Sequence, residues 1–253
     1  MDRFDINSFT KHFKDRDVFE TADISEFYCS ASEQTKATAT INWRIHSLVK
    51  KGVLQRVGRG IYRFGKATIY IPEISPKLKS LYGKIKKKFP FTGVCLWHTS
   101  VFNEFMQHQA GKYYYLVEVE KESAEAIFYF LKEKNLSVFL NPNREILDKY
   151  IPENKDVYIV KPLISEAPVQ ETCKIITATL EKILVDIFCD ETLFTAQQGA
   201  EMRTIFNEAF GVYTVNQSKM LRYADRRKKK AVFGDYLKTV SNYRQHIQNR
   251  AIL

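Results

Sequence analysis

Between Thr35 and Phe64 the chain leaves itself few ways to fold. Thr35 can cap a helix running from Lys36 to about Lys51, and Gly52 supplies the left-handed residue on which helices often end. At about 100° per residue, Ala37, Ile41, Ile45 and Leu48 share one apolar stripe. The opposite face carries Lys36, Ala39, Thr40, Trp43, Ser47 and Lys50, with Asn42 and Arg44 on its flanks. Two β-like runs follow, 53–57 and 61–64. Gly58-Arg59-Gly60 between them, with glycine on both sides of one arginine, predicts a tight hairpin tip. Upstream, 7–13 and 23–28 read as short helices, the second capped by Asp23 or Ser25. Three helices and a hairpin in this order are the layout of a winged helix-turn-helix.

Past residue 70 the pattern changes. A lysine-rich helix is expected over 75–89, then strands at 92–97, 113–120, 137–140 and 156–162 alternating with helices at 100–106 and 123–134. After Pro168 the periodicity is helical, with candidates at 179–188, 200–209, 218–228 and 232–248. The expected fold is therefore α+β. A winged helix over residues 1–70 precedes a mixed α/β domain over 71–253, of which 170–253 is mainly helical.

Charge is segregated along this plan. The net formal charge is +10, yet residues 36–88 hold 14 basic side chains and a single acid, Glu73. A solvated helix usually intersperses acids at i, i+4, and residues 36–72 contain none. Such a field attracts a polyanion: nucleic acid, an acidic partner, or the acidic middle of the same chain. A reader of this class lays its third helix in the major groove, where base edges are distinguishable. The residues expected to meet double-stranded DNA are Lys36, Thr38, Thr40, Asn42 and Arg44 in the groove. Lys50, Arg56, Arg59 and Arg63 are expected on phosphates or in a narrow minor groove. Arg226, Arg227, Lys228, Lys229 and Lys230 form a second basic patch that suits DNA or an acidic protein equally. The lysines of 76–88 share that ambiguity.

Enzyme signals are sparse. Glu118 and Glu120 lie two apart on an expected strand, so both can face one side, as magnesium-holding carboxylates do in nucleases and nucleotidyltransferases. The bland reading is the solvated side of an edge strand. His98 precedes Thr99 and Ser100 at a strand-to-helix junction, and a Ser–His reading would need a third partner in space. No histidine pair has metal-ligand spacing, and there is no Walker or dinucleotide glycine loop, so neither cofactor nor metal is expected. The four cysteines are scattered, the opening residues show no signal-peptide pattern, and no apolar run is long enough for a membrane span. The expected location is the cytoplasm, away from membranes.

Three stretches carry a family resemblance. The first is Ile45 to Phe64, with Leu48-Val49-Lys50-Lys51-Gly52-Val53-Leu54 leading into Arg59-Gly60-Ile61-Tyr62. The second is Trp97-His98-Thr99-Ser100-Val101, and the third is Thr179-Leu180-Glu181-Lys182-Ile183-Leu184-Val185-Asp186. In these the chain resembles the AbiEi-type antitoxins of type IV toxin–antitoxin systems and their relatives among transcriptional regulators. The resemblance implies a non-enzymatic regulator whose winged helix represses its own operon at an operator. It also implies a larger domain that neutralises a nucleotidyltransferase-like toxin without a lasting complex. A homodimer on an inverted repeat is compatible with it. The basic helix at 76–88 and the basic C-terminal region have no counterpart in the family pattern. The rival expectations are a metal-dependent nuclease or nucleotidyltransferase using Glu118 and Glu120, and an interaction module gripping an acidic partner.

Overall fold

A computed structural model describes residues 6–14, 16, 18–30, 38–50, 53–58, 60–65, 68–106, 111–151 and 156–240. The chain is a mixed α/β structure, and its described N-terminal residues build three helices around a small sheet. Helix α1 (Ile6–His12) is followed by strand β1 (Phe19–Glu20), α2 (Thr21–Ser30), α3 (Thr38–Lys50), β2 (Leu54–Gly58) and β3 (Ile61–Phe64). The sheet is antiparallel in the order β1-β3-β2. Asp23 accepts the Glu20 N–H at 2.6 Å, a local bond that fixes the entry to α2. Gly60 holds φ +73°, which a residue with a Cβ adopts only under strain, and its carbonyl accepts the Thr21 N–H at 2.8 Å. That bond ties the hairpin to α2. Phe9, Phe13, Phe19, Ile24, Ile41, Ile45 and Leu48 close the core between helices and sheet.

The second part starts with α4 (Pro76–Lys88). The Ser75 hydroxyl caps it by accepting the Leu78 N–H at 3.2 Å, with proline tolerated in the first turn. Then come β4 (Val94–His98), a 3₁₀ turn at Thr99–Glu104, β5 (Tyr114–Val119), α5 (Ala124–Lys132), β6 (Ser137–Leu140), α6 (Arg144–Lys149) and β7 (Val157–Pro162). The four strands form one sheet, β4-β5-β7-β6. β4 runs antiparallel to β5, and the other pairs are parallel. Alternation along β5 sends Tyr115, Val117 and Val119 to the face covered by α4 and α5. Leu116 and Glu118 go to the other face.

That other face is covered by the rest of the chain: β8 (Val169–Thr172), β9 (Ile175–Ala178), α7 (Leu180–Cys189), α8 (Ala200–Val212), α9 (Gln217–Arg226) and α10 (Lys230–Leu237). The β8–β9 hairpin is a strand pair that the expectation for 170 onward does not include, although helices dominate the described part of that region as expected. The hairpin's two-residue turn puts Cys173 (φ 53°) and Lys174 (φ 63°) in the left-handed region with no glycine to announce it. The expected helix at 100–106 is a 3₁₀ turn instead. The two parts meet where the Thr214 N–H donates to the Thr68 carbonyl at 2.9 Å and the Gln55 amide of β2 donates to the Thr214 hydroxyl. No helix among the described residues is long and apolar enough to cross a membrane.

Candidate nucleic-acid interface

Helix α3 buries Ile41, Ile45 and Leu48 and exposes Thr40, Asn42, Trp43 and His46. Trp43 sits near the middle of the outward arc and is 66% exposed. Arg44 corrects the expected groove set. At about 100° per residue it falls roughly 60° from Ile41 and 40° from Leu48, just past the edge of the apolar arc. It is only 8% exposed, and its guanidinium lies 4.5 Å above the Tyr28 ring. It therefore packs α3 onto α2 rather than facing outward. Thr38 and Lys50 open and close α3. Their side chains, and the whole of Lys36 and Arg59, lie outside the described residues.

On the hairpin, Arg56 is exposed and its Nε donates to the Gly58 carbonyl at 3.1 Å. Arg63 is half-buried and its Nε donates to Gln55 Oε1 at 2.8 Å. Burial lowers its pKa. A relay of Arg63, Gln55 and Thr214 thus couples the small sheet to the loop before α9.

Of the basic run at 226–230, Arg227 turns inward, its Nη1 2.6 Å from the Asp186 carboxylate. Arg226 pairs with Glu166, Lys229 with Glu191 at 3.8 Å, and Lys230 with Asp225 at 3.7 Å. Lys228 is exposed, at a left-handed position (φ 56°). Arg226, Lys228, Lys229 and Lys230 stay at the surface, three of them beside carboxylates.

Glu118 and Glu120 do not converge. Glu118 is buried under α7 and ion-paired with Lys182, which is fully enclosed. Glu120 follows the end of β5, is exposed, and lies against Gly93. Lys182 also contacts Asp186 at 2.5 Å, and Asp186 accepts from the Tyr223 hydroxyl at 2.9 Å. Two cations and two carboxylates neutralise one another around the Trp97 ring, whose face lies 5.4 Å from Lys182 Nζ. Burial opposes both charges. Asp186 and Glu118 outweigh it and hold Lys182 protonated well above the ordinary lysine value, while Lys182 and Arg227 hold Asp186 below the ordinary carboxylate value. This arrangement clamps α7 and α9 to the sheet, with Glu118, Lys182 and Asp186 buried. The sequence marked Lys182 and Asp186 only as part of a resemblance. Their i, i+4 spacing was the available sign of an ion pair.

Ser100 does meet His98, with Oγ 2.7 Å from Nδ1. The same nitrogen accepts the Ser100 N–H at 3.4 Å, so the imidazole caps the 3₁₀ turn. Burial pulls His98 down to about 4, which keeps the ring neutral near pH 7. Both residues line a cleft of about 410 Å³ together with Tyr70, Glu73, Ser75 and Glu104. Among the described residues no cluster of three or more histidine, cysteine, aspartate or glutamate side chains could hold a metal ion.

A family model matches residues 40–243, from the outward face of α3 through the sheet and the helices that cover it. The chain belongs to the DUF6577 family, a family of unknown function. No curated protein matches it. The DUF6577 match includes the β2–β3 hairpin, the Glu118–Lys182–Asp186–Arg227 cluster and the Gln55–Thr214 junction, and it starts after α1, β1 and α2.

Proposed function

We propose that this DUF6577 protein is a DNA-binding transcriptional regulator whose first 70 residues act as a winged helix-turn-helix. The observation that carries the reading is the outward face of α3. Thr40, Asn42, Trp43 and His46 stand exposed beside a hairpin bearing Arg56, in a stretch without a single acid. Asn42 can bond an adenine edge. Thr40 and Trp43 can touch a thymine methyl, and Arg56 can bond phosphate. Lys36, Thr38, Lys50, Arg59 and Arg63 remain in the proposed footprint. Arg44 leaves it because the Tyr28 ring already holds it.

The resemblance to AbiEi-type antitoxins supports the fuller proposal of a cytoplasmic antitoxin that represses its own operon and counters a nucleotidyltransferase-like toxin. Residues 71–253 would carry the antitoxic activity. The carboxylate-pair enzyme reading loses its premise, since Glu118 is neutralised internally and Glu120 points elsewhere. The test is retention of the chain's own upstream duplex against a scrambled duplex of equal length. The wild type should prefer the upstream DNA, and Asn42→Ala should erase the preference. Equal retention of both duplexes by the wild type would overturn the regulator reading.

A further inference from the structure

If α3 reads DNA, the phosphates must be neutralised by cations, and among the described residues α3 and its hairpin hold fewer free ones than the sequence suggested. Arg44 is enclosed, Arg63 is half-buried against Gln55, and four of the five residues at 226–230 sit beside carboxylates. Helix α4 is the opposite case. Its 13 residues contain six lysines and no acid. Leu78, Leu81 and Ile85 seal it to the sheet, which leaves the lysine face outward.

Two of the six are already engaged. Lys77 pairs with Asp156, and Lys86 donates to the Pro90 carbonyl at 2.7 Å and the Thr92 carbonyl at 3.0 Å. Those bonds tie Lys86 to the turn that follows the helix. Lys84, Lys87 and Lys88 are exposed, and none has a carboxylate within 4 Å among the described residues. Lys87 and Lys88 lie three and four positions beyond Lys84, a spacing at which like charges repel. Lys134, 46 positions further on from Lys88, joins them. Its ammonium sits 4.8 Å over the Phe130 ring, which packs on Phe89 at the end of α4.

We infer that the α4 surface bearing Lys84, Lys87 and Lys88, with Lys134 beside it, is a second contact for duplex DNA that grips the phosphate backbone without reading sequence. This rests on the regulator reading and names a further source of its salt-dependent affinity. At about 1.5 Å per residue, Lys84 to Lys88 rise about 6 Å along α4, enough to meet about two or three phosphates of one strand at about 3.4 Å each along the axis. The exposed positions of α4 include no large apolar side chain. An interfacial membrane helix needs an apolar face, and a protein interface needs a buried anchor. The patch stops at the 90–93 turn, where the Glu120 carboxylate lies against Gly93.

The experiment compares the full chain with Lys84→Gln/Lys87→Gln/Lys88→Gln by fluorescence anisotropy on the upstream and the scrambled duplex over a salt series. Each lost phosphate contact should reduce the slope of log affinity against log salt by about 0.9, so the triple variant should lose between about 1.8 and 2.7. The loss should be the same on both duplexes, and the preference between them should survive. Thermal melting of the variant checks that the exposed substitutions leave the fold intact, and Lys84→Glu/Lys87→Glu/Lys88→Glu should weaken retention further. An unchanged slope with wild-type preference intact would overturn this inference while leaving the regulator reading standing. Absence of any duplex binding by the wild type would overturn both. Loss of pelleting with phosphatidylserine vesicles at unchanged DNA slope would overturn the inference in favour of a membrane surface.

Discussion

Replacing Lys182 by methionine tests the architecture of the sheet domain at its most demanding point. Methionine fills nearly the same volume but removes the charge, leaving the two carboxylates with Arg227 on Asp186 and with Lys161, which lies opposite Glu118 in the sheet but gives its ammonium to Asp190 at 2.7 Å. Asp186 keeps Arg227 at 2.6 Å and the Tyr223 hydroxyl at 2.9 Å. Glu118 keeps nothing comparable, because its buried Oε2 has no hydrogen-bond partner beyond its ionic contact with Lys182. Breaking such a pair typically costs about 3–5 kcal/mol, most of it the penalty of one uncompensated buried charge. Adding Glu118→Leu removes that charge, so the double variant should be more stable than Lys182→Met alone, with a coupling of at least about 2 kcal/mol. Urea unfolding at pH 7.5 measures this as a fall in midpoint for the single variant and a partial return for the double one, at constant m-value. A single variant within about 1 kcal/mol of wild type, or strictly additive changes, would refute the internal-clamp account. It would reopen a solvent-accessible role for Glu118.

Three further outcomes follow from other parts of the molecule. Arg44→Met should lower the melting temperature, through a lost cation–π contact of about 1–2 kcal/mol, yet leave the salt dependence of DNA retention unchanged. The His98 imidazole titrates near 4 in the fold against about 6.5 in an unfolded chain, so the unfolded state binds more protons between those values. Stability is then full above pH 6.5 and falls by up to about 3 kcal/mol as pH drops toward 4, less whatever solvent screens from a ring that is not wholly enclosed. Unfolding midpoints across that window should flatten in His98→Asn, which keeps an acceptor for the cap. Finally, Lys174→Gly should stabilise the β8–β9 hairpin by up to about 1 kcal/mol, read by chemical denaturation, because glycine accepts the left-handed turn without strain.

Local periodicity made much of the fold legible. The stripe of α3, the hairpin runs, the capped start of α4 and the strands of the larger sheet all announce themselves by spacing, caps or β-branched runs. What stayed hidden depends on partners distant in sequence. β1 is two residues long and exists because Phe19 and Glu20 pair with β3. The β8–β9 turn uses Cys173 and Lys174, residue types that give no turn signal. Arg44 read as a surface cation because its flank position is compatible with either side, and only the Tyr28 ring decides the matter. Counting lysines and arginines along the chain likewise could not separate Lys84, Lys87 and Lys88 of α4, which no carboxylate meets among the described residues, from Arg226, Arg227, Lys229 and Lys230, which sit beside Glu166, Asp186, Glu191 and Asp225.

The proposed interface can be watched directly, because the chain has two tryptophans in opposite settings. Trp43 is 66% exposed at the centre of the α3 face, and Trp97 is 1% exposed in the sheet core. Iodide or acrylamide quenching should therefore divide the emission into an accessible and an inaccessible fraction, with Trp43→Phe removing the former. Saturating upstream duplex at low salt should shield the accessible fraction, and added salt should restore its quenching. Quenching of Trp43 that stays the same while DNA is demonstrably bound would mean that this face does not meet the duplex.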